Sequence, residues 1–67
     1  MFKEFDEIIV FDEIVFKNET IAKGTRGIVL DVDKSKDGTT YYTVELYDTD
    51  FDAPVFDFTG DQIKLAV

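Results

Sequence analysis

The segments Gly27–Val32, GIVLDV, and Thr40–Tyr47, TYYTVELY, flank an Asp37-Gly38 pair, and this arrangement constrains the fold more than any other feature of the chain. Asp-Gly between two alternating runs is the strongest short-range hairpin signal, because tight hairpin turns need positive φ in their central residues. In TYYTVELY, Tyr42, Val44 and Leu46 share one face, and Tyr41, Thr43, Glu45 and Tyr47 share the other. In GIVLDV, Ile28, Leu30 and Val32 alternate with Val29 and Asp31. A two-residue period is the signature of a strand, and β-branched and aromatic residues fill both segments, as strands prefer.

Upstream, FDEIIVFDEIVF, Phe5 to Phe16, repeats nearly the same six residues. Six residues advance about 600° around a helix, which turns the second copy away from the first, whereas a strand keeps both copies on the same faces. Ile8, Val10, Ile14 and Phe16 then share a side with Asp6 and Asp12, and Phe5, Ile9, Phe11 and Val15 share the other with Glu7 and Glu13. Neither face is cleanly apolar, so one uninterrupted strand fits a one-sided core poorly. The expectation is a strand over Glu4–Phe11, then a longer loop or a second short extended piece over Asp12–Glu19. Gly24 and Gly27 mark a turn feeding the GIVLDV strand, since glycine tolerates positive φ. DTDFDAP reads as a loop ended by Pro54, VFDF as a short strand, TGDQ as a single tight helical turn, and IKLAV as a final strand. Five short strands at spacings of roughly 8–14 residues, with no long helix, predict an all-β, five-stranded small barrel with a short helical turn before the last strand.

With 67 residues the chain is one domain, 1–67, with a single small core. A domain this size buries only about 60% of its unfolded surface, so its seven Phe and three Tyr carry much of its stability. It has neither Cys nor His. Disulfides and thiolate metal sites are thereby excluded, and so is the commonest general base and metal ligand. The opening MFKEFDEIIV places acids inside its apolar run, unlike a secretory leader. No stretch reaches the roughly 20 apolar residues of a membrane span. The expectation is a soluble, cytoplasmic protein that needs no cofactor.

An order of features emerges: FDEIIV, IAKGTRGIVLDV, YYTVELYD and FDFTGDQIKLAV. It resembles the SH3-like small barrels of bacteria, in particular an uncharacterised family of about this length. The matching features are the Asp-led apolar strand Asp6–Val10, the Lys23-Gly24-Thr25-Arg26-Gly27 turn, the Tyr42–Asp48 strand and the Gln62–Leu65 strand. The SH3-like photosystem I subunits are similar more weakly, over Arg26–Val67. The resemblance implies an SH3-like barrel; its motifs are structural, and no functional residue travels with them. The Asp48–Asp52 segment and the doubled N-terminal stretch depart from the family pattern.

Fifteen acids against seven bases give a formal charge of −8. Residues 1–20 hold six acids and two bases, residues 21–40 three acids and four bases, and residues 41–67 six acids and one base. Direct nucleic-acid binding draws on cations that displace counterions, so this balance disfavours it. A basic protein surface is the natural partner of such a field. A dispersed acidic surface that merely keeps a small domain soluble is the competing account.

Asp48, Asp50 and Asp52 alternate like the start of a calcium loop, but positions six and twelve, where such a loop needs Gly and Glu, are Ala53 and Thr59. No metal is expected. Ser35, the only serine, lies between two lysines with no His to activate it, and so short a chain offers no cleft of about 300 Å³ for a substrate. The chain is therefore expected to bind rather than catalyse. The candidate partner-binding residues are Glu7, Asp12, Glu13, Asp48, Asp50, Phe51, Asp52 and Asp57, with Phe51 either tucked over the barrel end or acting as an apolar anchor ringed by acids. Alternate carboxylates on an extended segment stand about 6.6 Å apart, roughly every second phosphate of a DNA strand, so nucleic-acid mimicry is one route to a basic partner. The expected function is inhibition or neutralisation of a basic protein, in the manner of an immunity protein, an antitoxin or a phage-type inhibitor of a nucleic-acid-handling enzyme. Two alternatives stand beside it. One is an accessory structural subunit docking on a larger complex. The other is a weak nucleic-acid-binding barrel using Lys23, Arg26, Lys34 and Lys36, with Lys17 nearby and Tyr41 and Tyr47 as stacking platforms.

Overall fold

The computed structural model describes residues 1–16 and 18–66 and is all-β. Seven strands follow in order: β1 (Glu7–Val10), β2 (Ile14–Phe16), β3 (Glu19–Ile21), β4 (Arg26–Lys34), β5 (Thr40–Leu46), β6 (Val55–Thr59) and β7 (Ile63–Leu65). Five of them form one antiparallel sheet in the order β6-β5-β4-β1-β7, and β2 pairs with β3 as a separate hairpin. The five-strand expectation therefore matches the larger sheet. The hexapeptide repeat divides between two sheets, its first copy supplying β1 and its second β2. β3 had no counterpart in the sequence reading.

Two finer expectations are not met. β6 and β7 end the sheet on opposite sides and are not paired with each other among the described residues, so no closed barrel forms. The helical turn expected over TGDQ is a single four-residue turn instead. Gln62 N–H donates to the Thr59 carbonyl at 3.1 Å, and the Gln62 side chain accepts from Thr59 N–H at 2.9 Å. The Thr59 hydroxyl also donates to Asp61. These side-chain bonds hold the corner so that β7 starts directly after it, and the four residues form no helical turn.

The core is built from alternate residues. Ile8 and Val10 of β1, Val29 of β4, Tyr42, Val44 and Leu46 of β5, Phe58 of β6 and Ile63 of β7 are buried, and Ile21 of β3 joins them. Phe16 of the β2–β3 hairpin lies over this inner face, its ring stacked on Phe56 at 5.3 Å and edge-on to Phe58 at 5.9 Å. Phe2 adds an edge contact to Tyr42 at 5.2 Å. One layer of sheet and one covering hairpin thus enclose the apolar side chains, and no charged residue is buried among those described.

The β4–β5 hairpin forms where Asp37-Gly38 places it, with Lys36, Asp37 and Gly38 at its tip between the bonded residues Ser35 and Thr39. Gly38 alone has positive φ (88°), Gly38 N–H donates to the Ser35 carbonyl, and Ser35 N–H donates to the Thr39 carbonyl. This is a tight turn closed by a glycine in the left-handed region. Of the two glycines read as a turn pair, only Gly24 plays that part, at φ 89°. Gly27 is buried inside β4, where a Cβ would stand 2.6 Å from the Glu45 carbonyl oxygen and 2.8 Å from Val44 Cγ1. It is glycine because β5 comes too close for a side chain.

Candidate partner-binding surface

The register of β4, β5 and β6 decides which side chains share the sheet's outer face. On β5, Tyr42, Val44 and Leu46 point inward, so Tyr41, Thr43 and Glu45 point out. Thr43 pairs with Asp31 on one side and Asp57 on the other, and Tyr41 pairs with Asp33 and Thr59. Glu45 pairs with Ile28 and Val55, and Ile28 in turn with Glu7. Directly paired residues project to the same side. Asp31, Asp33, Glu45 and Asp57 therefore surround Tyr41 and Thr43, with Glu7 in an adjoining row.

A bulge creates this arrangement. Strict alternation from the inward Val29 would also turn Asp31 inward. The register shifts between Val29 and Asp31, so Leu30 is an extra residue and the two aspartates emerge on the outer side. A bulge re-aims the side chains that follow it. Neighbouring strands lie about 4.8 Å apart, so Asp31 and Asp57 stand roughly 10 Å from each other across Thr43. That is close to a Debye length at physiological salt, about 8 Å, so their fields add in solution. The Thr43 hydroxyl donates to Asp57 at 2.8 Å and fixes that carboxylate on the face.

Across β4, β5 and β6 the cations are Arg26 and Lys34, at the two ends of β4. Eight residue steps along extended chain separate them, roughly 26 Å, in a molecule whose longest extent is 31 Å. Arg26 sits opposite Ile9, which pairs on its far side with Lys64. Lys64 in turn lies 5.4 Å from the centre of the Phe11 ring, a cation–π distance. Lys36 is in the β4–β5 loop and Lys23 in the β3–β4 turn. The four proposed nucleic-acid-binding cations thus occupy separate ends of the molecule, with Asp31 and Asp33 between Arg26 and Lys34. Lys17 lies outside the described residues.

The acids singled out from the sequence fall into three places. Glu7 and Asp57 are on the outer sheet face. Asp12 and Glu13 are exposed in the β1–β2 connection. Asp48, Asp50 and Asp52 are exposed in the β5–β6 connection around Phe51. Phe51 is half-buried, its ring edge-on to Phe56 at 5.3 Å, so it folds back on the core beside its flanking acids. Asp31, Asp33 and Glu45 were missed as members of the face. For Glu45 the signal was the TYYTVELY alternation, which puts it on the face opposite Tyr42, Val44 and Leu46; for Asp31 and Asp33 β4 alone held none, because the bulge shows only in the pairing with β5. Asp37 lies away from this face. The Ser35 hydroxyl, together with Thr39, holds its carboxyl below the usual carboxylate range.

Among the described residues, no cluster of three or more Asp or Glu side chains is arranged to hold a metal ion. The described residues include no helix long and apolar enough to cross a membrane. No family model, curated protein or solved structure matches the chain.

Proposed function

We propose that this chain is a non-catalytic acidic binding protein that occupies and neutralises the basic surface of a protein partner, in the manner of an immunity protein or an inhibitor of a nucleic-acid-handling enzyme. The observation that carries the reading is the joining of Asp31, Asp33, Glu45 and Asp57 on one face around Tyr41 and Thr43, with the cations of those strands, Arg26 and Lys34, at the two ends of β4. Such a face raises the encounter rate with a cationic surface and repels nucleic acid. Tyr41, 38% exposed, supplies the amphipathic aromatic that interface centres favour. Asp31 and Asp33, two residues apart on one strand side, have the spacing that would imitate alternate phosphates.

The same reading takes the fold as SH3-like in topology, with the sheet left open between β6 and β7. The strand order β6-β5-β4-β1-β7 supports it, as does the long β1–β4 connection carrying its own hairpin and the tight corner between β6 and β7. An accessory structural subunit is the second reading, favoured by Phe5, which is 71% exposed although its backbone is held by Val29.

The test begins with affinity enrichment from the native host and identification of the bound protein by mass spectrometry. A titration of that protein follows at increasing salt, with wild type and with the triple variant Asp31→Asn/Asp33→Asn/Asp57→Asn. Affinity that falls with salt and collapses in the variant supports the proposal. Affinity indifferent to both salt and variant removes it.

A further inference from the structure

A groove of about 260 Å³ lies between the β3–β4 turn and the β5–β6 connection, lined among others by Ile21, Thr25, Asp48, Asp50 and Phe51. We propose that it receives one arginine side chain projecting from the basic partner; this rests on the reading above and assigns the contact point within it. The volume is below the roughly 300–1,000 Å³ of small-molecule sites, so it suits a single side chain. Its floor is apolar, from buried Ile21 and the half-buried Phe51 ring. Its rim offers acceptors. Asp48 and Asp50 are carboxylates, and Thr25 has committed its hydroxyl proton to the Ala22 carbonyl at 2.7 Å, which leaves lone pairs for an incoming donor.

A guanidinium matches this pattern, because it carries five donors and no acceptor in a planar fork. It is weakly hydrated, stacks on aromatic faces and meets carboxylates through paired N–H bonds, whereas an ammonium is a strongly hydrated point charge. Among the described residues the charged groups lining the groove are Asp48 and Asp50; Lys23 in the β3–β4 turn and Arg26 beside Tyr47 stand next to the lining, outside it. Asp48 holds its place at φ 54°, a conformation that Asp and Asn both tolerate. Asp48→Asn therefore removes the charge without straining the backbone.

The experiment is a titration of the isotope-labelled protein, followed by amide NMR at low salt. The probes are acetyl-arginine amide, acetyl-lysine amide, acetyl-citrulline amide and a hexa-arginine peptide. The arginine amide is expected to shift the amides of Thr20–Thr25 and Asp48–Phe51. Lysine should bind more weakly, and citrulline should leave those amides unmoved. The Asp48→Asn/Asp50→Asn variant should weaken arginine binding on the order of tenfold, the loss of a charge-assisted pair. Equal response to lysine or citrulline overturns the assignment, and so does an arginine response confined to the sheet face. If hexa-arginine shifts only amides around Asp31, Asp33 and Asp57, the groove fails and the acidic-face reading stands. If hexa-arginine shifts neither region, both fail.

Discussion

Replacing Gly27 by alanine probes how closely β4 and β5 are packed. The added Cβ would lie 2.6 Å from the Glu45 carbonyl oxygen, 2.8 Å from Val44 Cγ1 and 3.2 Å from Leu46 Cδ2. The nearest atom belongs to the backbone of a strand hydrogen-bonded on both edges, so it cannot swing aside as a side-chain tip would. Relief requires β4 and β5 to part by several tenths of an ångström, at the point where Gly27 pairs with Leu46 and Ile28 with Glu45. Overpacking of this kind costs about 1–3 kcal/mol, and contact with fixed backbone places it near the top of that range. Alanine recovers about 0.4–1 kcal/mol by restricting the unfolded chain. The net loss is about 2 kcal/mol. For a domain of this length that is a fall in Tm of roughly 8–16 °C. Total stability for such a domain is on the order of 3–10 kcal/mol, so the transition stays measurable. Urea unfolding followed by circular dichroism reads the change. Gly24→Ala is the companion variant: nothing lies within 4 Å of its Cβ, and its penalty comes from φ 89° alone. A Gly27→Ala protein within about 0.5 kcal/mol of wild type would refute the close approach, since ordinary surface changes fall in that range.

Further outcomes follow from the same structure. Phe5 occupies the third position of the turn closed by Asp6 N–H on the Lys3 carbonyl, at φ 70°, with its own N–H on the Val29 carbonyl, a bulge position usually taken by glycine. Relief of about 1–2 kcal/mol of left-handed strain outweighs glycine's added entropy cost of about 0.5–1 kcal/mol, so Phe5→Gly should raise the urea midpoint; a lower midpoint would show that the ring is supported by packing. Phe58 is fully buried, so Phe58→Ala should cost about 3–5 kcal/mol, a large part of the total, and lower the urea midpoint more than Gly27→Ala does; a smaller fall than that variant's would contradict its burial. For Asp37, the folded-state carboxyl lies below its ordinary value of 3.8, so its contribution is present above that pH and disappears as pH falls through the folded-state value. The stability gap between wild type and Asp37→Asn should therefore narrow on acidification in that window; a gap that widens there would reverse the assignment.

Alternation in TYYTVELY placed Tyr42, Val44 and Leu46 inside correctly, because β5 is a central strand that keeps its own two-residue period, the irregularity falling on its neighbour β4. Asp37-Gly38 likewise located the hairpin. The bulge at Leu30 was invisible, since one extra residue leaves the local pattern intact and only the partner strand reveals the shift. That single residue decides which way Asp31 points, and with it the composition of the acidic face. Gly27 looked like a turn glycine because sequence cannot separate a need for positive φ from a need for empty space. The division of the hexapeptide repeat followed from its mixed faces, but the pairing of its second copy with Glu19–Ile21 is a tertiary event, fixed when Ile21 and Phe16 reach the core. Phe51 was legible as an aromatic among acids; the groove beside it was not, because its other wall comes from residues more than twenty positions away.

The concentration of negative potential on the outer face of β4–β6 can be measured without any partner. Paramagnetic relaxation of amide protons by a cationic and an anionic cosolute reports the local potential residue by residue. The most negative values should fall at Asp31, Asp33, Thr43 and Asp57, with a clear rise toward Ile9, Arg26 and Lys64. A potential that is uniform over both regions would contradict the account.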